Sequence, residues 1–313
     1  MLRTDNKKVF ESLNSVLVSN NWGTIGRYSV NAADMIASRV APDGSYGAVL
    51  CDSTYAALET VIRGYFIGHG DKVIVPALSS PYIAQTAATV GCSIAFADIE
   101  KDTCVISPAW VEALMDGSVK AVICEDYCGY PCDYDKIKAV LPEGVKLIVC
   151  TSDPFNTLYN GVSTILNADA AVAAFDEGCA IECDCAAVVM KQADYNTLWS
   201  MHHCGNLASG TNMEALNAGY VPGGDERICE WKSALLINEL EAFWALPAAD
   251  ANAYPYKEEM AVVENGARSP YLRYFGKKHY AMNLEPSFKS EYYVKSSGSV
   301  SDYICPFAQK AAK

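Results

Sequence analysis

Between residues 46 and 190 the chain alternates short, almost wholly apolar runs with longer stretches of helical periodicity. The apolar runs are 46–51 (YGAVLC), 72–76 (KVIVP), the end of 87–98 (AATVGCSIAFAD), 121–127 (AVICEDY) and 146–150 (KLIVC), then one that opens 169–190 and another at 186–190. Runs this short, with so little polar alternation, are the pattern of strands buried on both faces. Helical periodicity fills 56–66, Gly91 stops the helix before the third run, and Ser107-Pro108 opens the next with Ser as N-cap and Pro in the first turn. The crossovers are long enough for helices. They predict an α/β fold with a doubly wound, mostly parallel seven-stranded sheet and no internal repeat.

The flanks read differently. Residues 9–18 form an amphipathic helix, and 20–26 a loop in which Trp22 is expected to anchor packing. A helix after Met190 leads to His202-His203-Cys204-Gly205, and 206–224 is a polar, glycine-rich loop. Residues 227–240 (RICEWKSALLINEL) are strongly helical, with an apolar face at Ile228, Trp231, Leu235 and Leu236. Arg227 and Glu230 are expected to form an ion pair at its start. The remainder is rich in tyrosine.

Composition narrows the partners. A net charge of −13 without a basic block argues against nucleic acid and anionic membranes. No apolar run approaches the length of a membrane span, and the first residues are too broken by polar positions for a secretory signal, so a cytoplasmic location is expected. Thirteen cysteines in a reducing compartment are expected as thiols or metal ligands, not disulfides.

Candidate chemistry gathers at 169–190 (DAAVAAFDEGCAIECDCAAVVM), an apolar run that breaks at Asp176-Glu177-Gly178 and carries Cys179, Cys183 and Cys185 before the next run. Cys128, Cys150 and Cys179 each follow the C-terminal end of a predicted strand, and in a doubly wound sheet those ends face one crevice. With Cys51 or Cys183 they are candidate ligands of zinc or an iron–sulfur cluster. Against that, the spacing is no recognised ligand motif, and cysteine is a common small core residue. The paired histidines, without a spaced partner, read as surface or cap chemistry. Ser53 and Thr54 open a helix and suit either a phosphate or an ordinary N-cap.

Several of these motifs resemble the DegT/StrS sugar aminotransferases. Residues 68–76 (GHGDKVIVP) are similar to the family's G-x-G-D-E-V-I-x-P, and 90–98 to V-G-A-x-P-V-F-V-D. Gly129–Asp133 is similar to its Y-G-x-P-A-D, with Cys128 on the tyrosine, and Tyr159-Asn160-Gly161 to its Y-x-G. Residues 227–240 resemble R-M-T-E-I-Q-A-A-L-L-L-N-Q-L, the most specific match, and Trp22 to Gly26 resembles W-x-T-x-G. The thiol stretch resembles F-S-F-x-x-x-K-N-I-x-x-G-E-G-G, with Phe175 on the second Phe and Cys179 on the lysine. The resemblance covers residues 20–245.

That resemblance implies a fold type I large domain over 1–224 and a reduced C-terminal small domain over 225–313. It also implies pyridoxal or pyridoxamine phosphate (PLP or PMP), a nucleotide-linked sugar and a homodimer. Residue by residue, it puts Cys179 at the Schiff-base lysine, Cys150 at the carboxylate for the pyridine nitrogen, and Asp153 at a Gln. Ser80 falls at the ring-stacking aromatic, with Tyr82 two residues on. Ser53 and Thr54 fall at the phosphate loop, and Ala174 at a phosphate serine. Because the scaffold motifs stay while the cofactor positions change, the expectation is a rebuilt site that does not transaminate. Three functions remain open: a non-catalytic sugar-nucleotide binder, a PLP- or PMP-dependent enzyme such as a ketosugar dehydratase, and a thiol or metal site in the old cavity.

Overall fold

A computed structural model describes residues 4–100, 103, 105–176, 179–206 and 223–245, apart from the Cys128 side chain, and the backbone of 293–294. The seven expected apolar runs form β1 (Tyr46–Cys51), β2 (Lys72–Pro76), β3 (Ser93–Ala97), β4 (Val119–Asp126), β5 (Lys146–Thr151), β8 (Ala170–Ala174) and β9 (Ala186–Lys191). Between them, β6 (Leu158–Tyr159) and β7 (Val162–Ser163) make a separate two-stranded hairpin. The order across the main sheet is β1-β9-β8-β5-β4-β2-β3, with the short β10 (Tyr293–Val294) paired parallel to β3.

Every residue of β8 is buried, as are four of the five in β2. This explains why these strands show no polar alternation. Among the described strands of the main sheet, only β9 runs against its neighbours, pairing antiparallel with both β8 and β1. The physical reason is the short link from Phe175 to Cys185. It cannot hold the helix that a parallel return needs.

Helices cover the sheet: α1 (Asn6–Ser19), α2 (Arg27–Val40), α3 (Thr54–Gly64), α4 (Pro81–Val90), α5 (Pro108–Leu114), α6 (Tyr134–Val140), α7 (Tyr195–His202) and α8 (Glu230–Trp244). Gly91, at φ 96°, ends α4 in the left-handed conformation, as expected for a glycine stop. Helix α8 packs against α1 and α2. The Glu230 carboxylate accepts from the backbone N–H groups of Gly26 (3.1 Å), Tyr28 (2.8 Å) and Ser29 (3.0 Å), so it closes the α2 N-terminus. Gly26 is required there, since a Cβ would lie 2.4 Å from the Glu230 carboxyl carbon.

Three expectations change. Arg227 does not pair with Glu230; its Nε is 2.6 Å from Asp225, because Glu230 is consumed by α2. Trp22 is no buried anchor: it is 50% exposed, and its backbone carbonyl makes the contact, accepting from Glu230 N at 3.3 Å. The buried side of α8 is wider than the sequence face. Ala234, Leu236, Ile237, Leu240 and Phe243 are buried, while Trp231 and Leu235 are only partly covered. Most of 225–313 lies outside the described residues, as does nearly all of the 206–224 loop.

Candidate functional site

The C-terminal ends of β4, β5 and β8 and the N-termini of α3 and α4 converge on one crevice. At α3, the Ser53 hydroxyl accepts from Ala56 N at 3.2 Å, the ordinary N-cap. The Thr54 hydroxyl donates to the Asp176 carboxylate, which comes from the thiol turn. Burial raises the Asp176 carboxyl above its usual range against the pull of the Thr54 bond.

At α4, Ser80 caps with its backbone and hands its side chain elsewhere. Its N–H donates to Glu125 Oε2 at 2.7 Å, and its hydroxyl donates to Glu125 Oε1. Glu125, next to last in β4, is buried, and burial pushes it up to about 7 despite the Ser80 bonds. Its neighbour Asp126 is pushed up to about 6 by burial, while accepting from Tyr134 Oη at 2.5 Å and Cys132 N at 3.1 Å. At the second residue of α4, the Tyr82 hydroxyl meets the Cys150 sulfur, with Glu125 and Cys179 as further electrostatic neighbours. Burial holds that phenol well above its usual range.

The thiol turn is tied by its own backbone. Phe175 N donates to Cys185 O at 2.9 Å, and Phe175 O accepts from Cys183 N (2.7 Å) and Asp184 N (2.9 Å). Ala180 N reaches Ser152 O at 3.0 Å, which fixes the turn to the end of β5. Asp184 adopts φ 49°, a conformation that favours glycine, at the position where the resemblance places a glycine. Burial raises the Cys150, Cys179 and Cys185 thiols above their usual range. Thiols held protonated are poor nucleophiles and poor metal ligands.

Among the described residues, no group of three His, Cys, Asp or Glu is placed to hold a metal ion. Of the candidate ligands, Cys150 and Cys179 come together through Tyr82, Cys183 lies partly exposed in the turn and Cys51 is buried against Thr60, while the Cys128 side chain lies outside the described residues. Asp153 accepts from Asn156 N at 3.2 Å and Nδ2 at 3.3 Å, as a turn residue would. His202 is buried at the end of α7, its Nδ1 3.3 Å from Trp199 O, and burial lowers it to about 4. The histidine pair is thus end-of-helix chemistry, with His202 buried and His203 partly exposed.

Glu125, Asp176 and Lys232 are the residues sequence reasoning passed over. Two consecutive acids ending an apolar run (AVICED) were a readable signal for Glu125, since an acid there must be buried or functional. Lys232, on α8, bonds the carbonyls of Asp184 (2.9 Å) and Asp52 (3.2 Å), with both carboxylates within 3.3 Å. It fastens the thiol turn to the end of β1. Other lysines lie at the opposite edge: Lys191 pairs with Asp169 at 2.6 Å, Lys72 with Asp116, and Lys146 stands over the Tyr65 ring. A groove of about 840 Å³ lies beside the crevice, between Pro108, Tyr130, Asp133 and the 158–161 hairpin.

A seven-stranded sheet in this order, with one reversed strand and its crevice at the strand ends, is the large-domain architecture of fold type I PLP enzymes. The chain belongs to the DegT/DnrJ/EryC1/StrS aminotransferase family, whose model matches residues 3–274. Among solved structures it is similar to DesI in the presence of its TDP-sugar product, at 21% identity and TM-score 0.73, over 87% of this chain and 69% of that one. It is also similar to 3-amino-5-hydroxybenzoic acid synthase, at 20% identity and TM-score 0.68, over 77% and 62%. A third is the PMP form of the putative sugar aminotransferase Spr1654 from Streptococcus pneumoniae, at 18% and 0.67, over 78% and 65%. The chain thus spans about two thirds of the length of these structures, and at such identities the likeness establishes the fold.

The family implies PLP, and the side chains in the crevice do not fit it. An imine needs an amine, and the turn presents the protonated thiol of Cys179. A ring nitrogen needs a carboxylate, and the end of β5 presents Cys150. A phosphate at α3 must displace the carboxylate already on Thr54.

Proposed function

We propose that this chain is a non-transaminating member of its family that binds a nucleotide-linked sugar or a related small molecule. Cys179 carries the reading. Transamination uses a lysine twice, to hold PLP as an imine and to move a proton between substrate and cofactor. A thiol offers an aldehyde only a labile hemithioacetal. Lys232 is no substitute: burial works against its charge, but the bonds to Asp52 and Asp184 prevail and hold the ammonium above its usual range. The sugar half rests on the family and on the similarity to DesI, a protein whose product is a TDP-sugar.

The test is direct. Protein treated with PLP and then borohydride should show no lysine adduct by mass spectrometry, and no amino transfer from glutamate to a ketosugar. Calorimetric titration with TDP- and GDP-linked sugars should show binding that free sugar does not. A stoichiometric adduct on one crevice lysine, with amino transfer, overturns the first half; absent sugar-nucleotide binding overturns the second. A cofactor kept in a rebuilt site is the competing reading. Glu125 is the residue in its favour, a buried acid with a folded value of about 7, suited to proton transfer near neutrality.

The proposal includes a cytoplasmic homodimer, with the division at residues 224 and 225. Phe10, Leu17 and Val18 lie on one face of α1 and are 74%, 51% and 71% exposed, which suits a subunit contact. Light scattering at micromolar concentration should give a dimer, and Phe10→Glu with Leu17→Glu a monomer.

A further inference from the structure

Two side chains in the crevice have shapes and charges that match parts of a pyridoxal phosphate. Tyr82 contributes a six-membered aromatic ring. Its hydroxyl meets Cys150, and Cys179 and Glu125 are its other neighbours. The two thiols stand at the positions assigned above to the ring-nitrogen partner and the imine lysine. Ser80, assigned to the ring-stacking aromatic, begins the same helix. Its two bonds to Glu125 pin the first turn of α4 and so aim Tyr82 toward β5. At the other end of the crevice, Asp176 places a carboxylate on the Thr54 hydroxyl, at the N-terminus of the eleven-residue α3. That is where an anion gains from the helix dipole and free N–H groups.

We propose that the chain fills its own cofactor site, with the Tyr82 ring in place of the pyridine and the Asp176 carboxylate in place of the phosphate. This deepens the proposed function and rests on it only for the residue correspondence. Two costs follow for an incoming PLP. Its ring must displace a phenol that is partly covered, with its hydroxyl end against the buried thiols and its ring 6.1 Å from that of Tyr55, since the same space cannot hold two rings. Its phosphate brings nearly two negative charges to a helix end already holding one, and like charges in a poorly solvated site repel strongly. Removing both plugs should therefore reopen the site even though Cys179 remains a thiol.

The probe is 4-deoxypyridoxine 5′-phosphate, which has the ring and the phosphate but no aldehyde, so the missing lysine does not enter. Binding is read by isothermal titration on wild type, Tyr82→Phe, Asp176→Asn and the double variant Tyr82→Ala/Asp176→Asn, each checked for folding by circular dichroism. Wild type and Tyr82→Phe, which keeps the ring, should bind weakly or not at all. The double variant should bind at least about tenfold more tightly, since both steric and charge obstacles are gone. If the double variant does not fold, Tyr82→Leu and Asp176→Asn separately give the same readout in smaller steps. Stoichiometric micromolar binding by wild type overturns the inference, as does a folded double variant, or the pair of single variants, binding no better than wild type. The outcomes separate from those of the proposed function. A gain of pyridoxine-phosphate binding in the variants without sugar-nucleotide binding by wild type refutes the latter and leaves the filled site standing.

Discussion

Among the described residues, three helices receive a carboxylate at their N-termini from a distant part of the chain, and they serve two different ends. At α2, Glu230 accepts from three backbone N–H groups and joins α8 to α2. At α3 and α4, Asp176 and Glu125 do the same electrostatic work with hydroxyls and one N–H, inside the crevice. The first is scaffold, with every oxygen matched to backbone donors. In the second pair, Glu125 is buried and Asp176 partly buried, and burial raises both carboxyls by penalising their charge. A carboxylate on a helix end is a general stabilising device. Where it sits decides whether it locks a joint or occupies functional space.

The contrast breaks most sharply at Glu230. Glu230→Ala strands the N–H groups of Tyr28 and Ser29 in a buried seat, while Gly26 N–H keeps the Ser29 hydroxyl at 3.1 Å, and urea unfolding should show a loss of about 2 kcal/mol or more. A loss under about 1 kcal/mol would mean water replaces the carboxylate and the seat is no lock.

Next comes the pH dependence of Glu125. Its folded value of about 7 lies above that of an unfolded glutamate, so the folded state holds the proton longer. Stability from this group is greatest at low pH and falls as pH rises from the unfolded value through about 7, by about 3 kcal/mol. Asp126, raised to about 6, acts in the same direction, and His202, lowered to about 4, in the opposite one. The measurement is therefore the difference between wild type and Glu125→Gln unfolding at pH 5 and pH 8, and the variant should lose part of the downward slope. Identical slopes would place Glu125 in contact with water.

Asp176→Asn should cost less than about 1 kcal/mol, because the amide oxygen still accepts from Thr54 and a buried charge is removed. Smallest of all, Arg227→Ala breaks a largely solvent-facing pair with Asp225 and should change stability by about 0.5 kcal/mol or less in the same assay. An effect of Arg227→Ala comparable to that of Glu230→Ala would restore the ion pair that the sequence suggested.

Much of the scaffold was readable in the chain. All seven apolar runs became strands within a residue or two, the Gly91 stop is real, and the thiol turn lies where the break at Asp176 put it. The candidate site was readable in its positions and not in its contacts. Cys150, Cys179, Ser80 and Tyr82 do gather, and Ser53 takes the N-cap role, one of the two that the sequence left open for it. The fates of Trp22 and Arg227 were misread because each depended on where Glu230 goes, and a helix start written R-x-x-E carries an ion pair and a distant cap equally well.

What the sequence determined by itself was the set of elements. Burial on both faces and a glycine stop leave marks within a few residues of where they act. Only the tertiary structure decided which acid meets which helix. Glu125 and Ser80 are 45 residues apart, Asp176 and Thr54 122, and Glu230 and Gly26 204. A carboxylate satisfies any helix end that the fold brings to it, and nothing local in the chain says which one that will be.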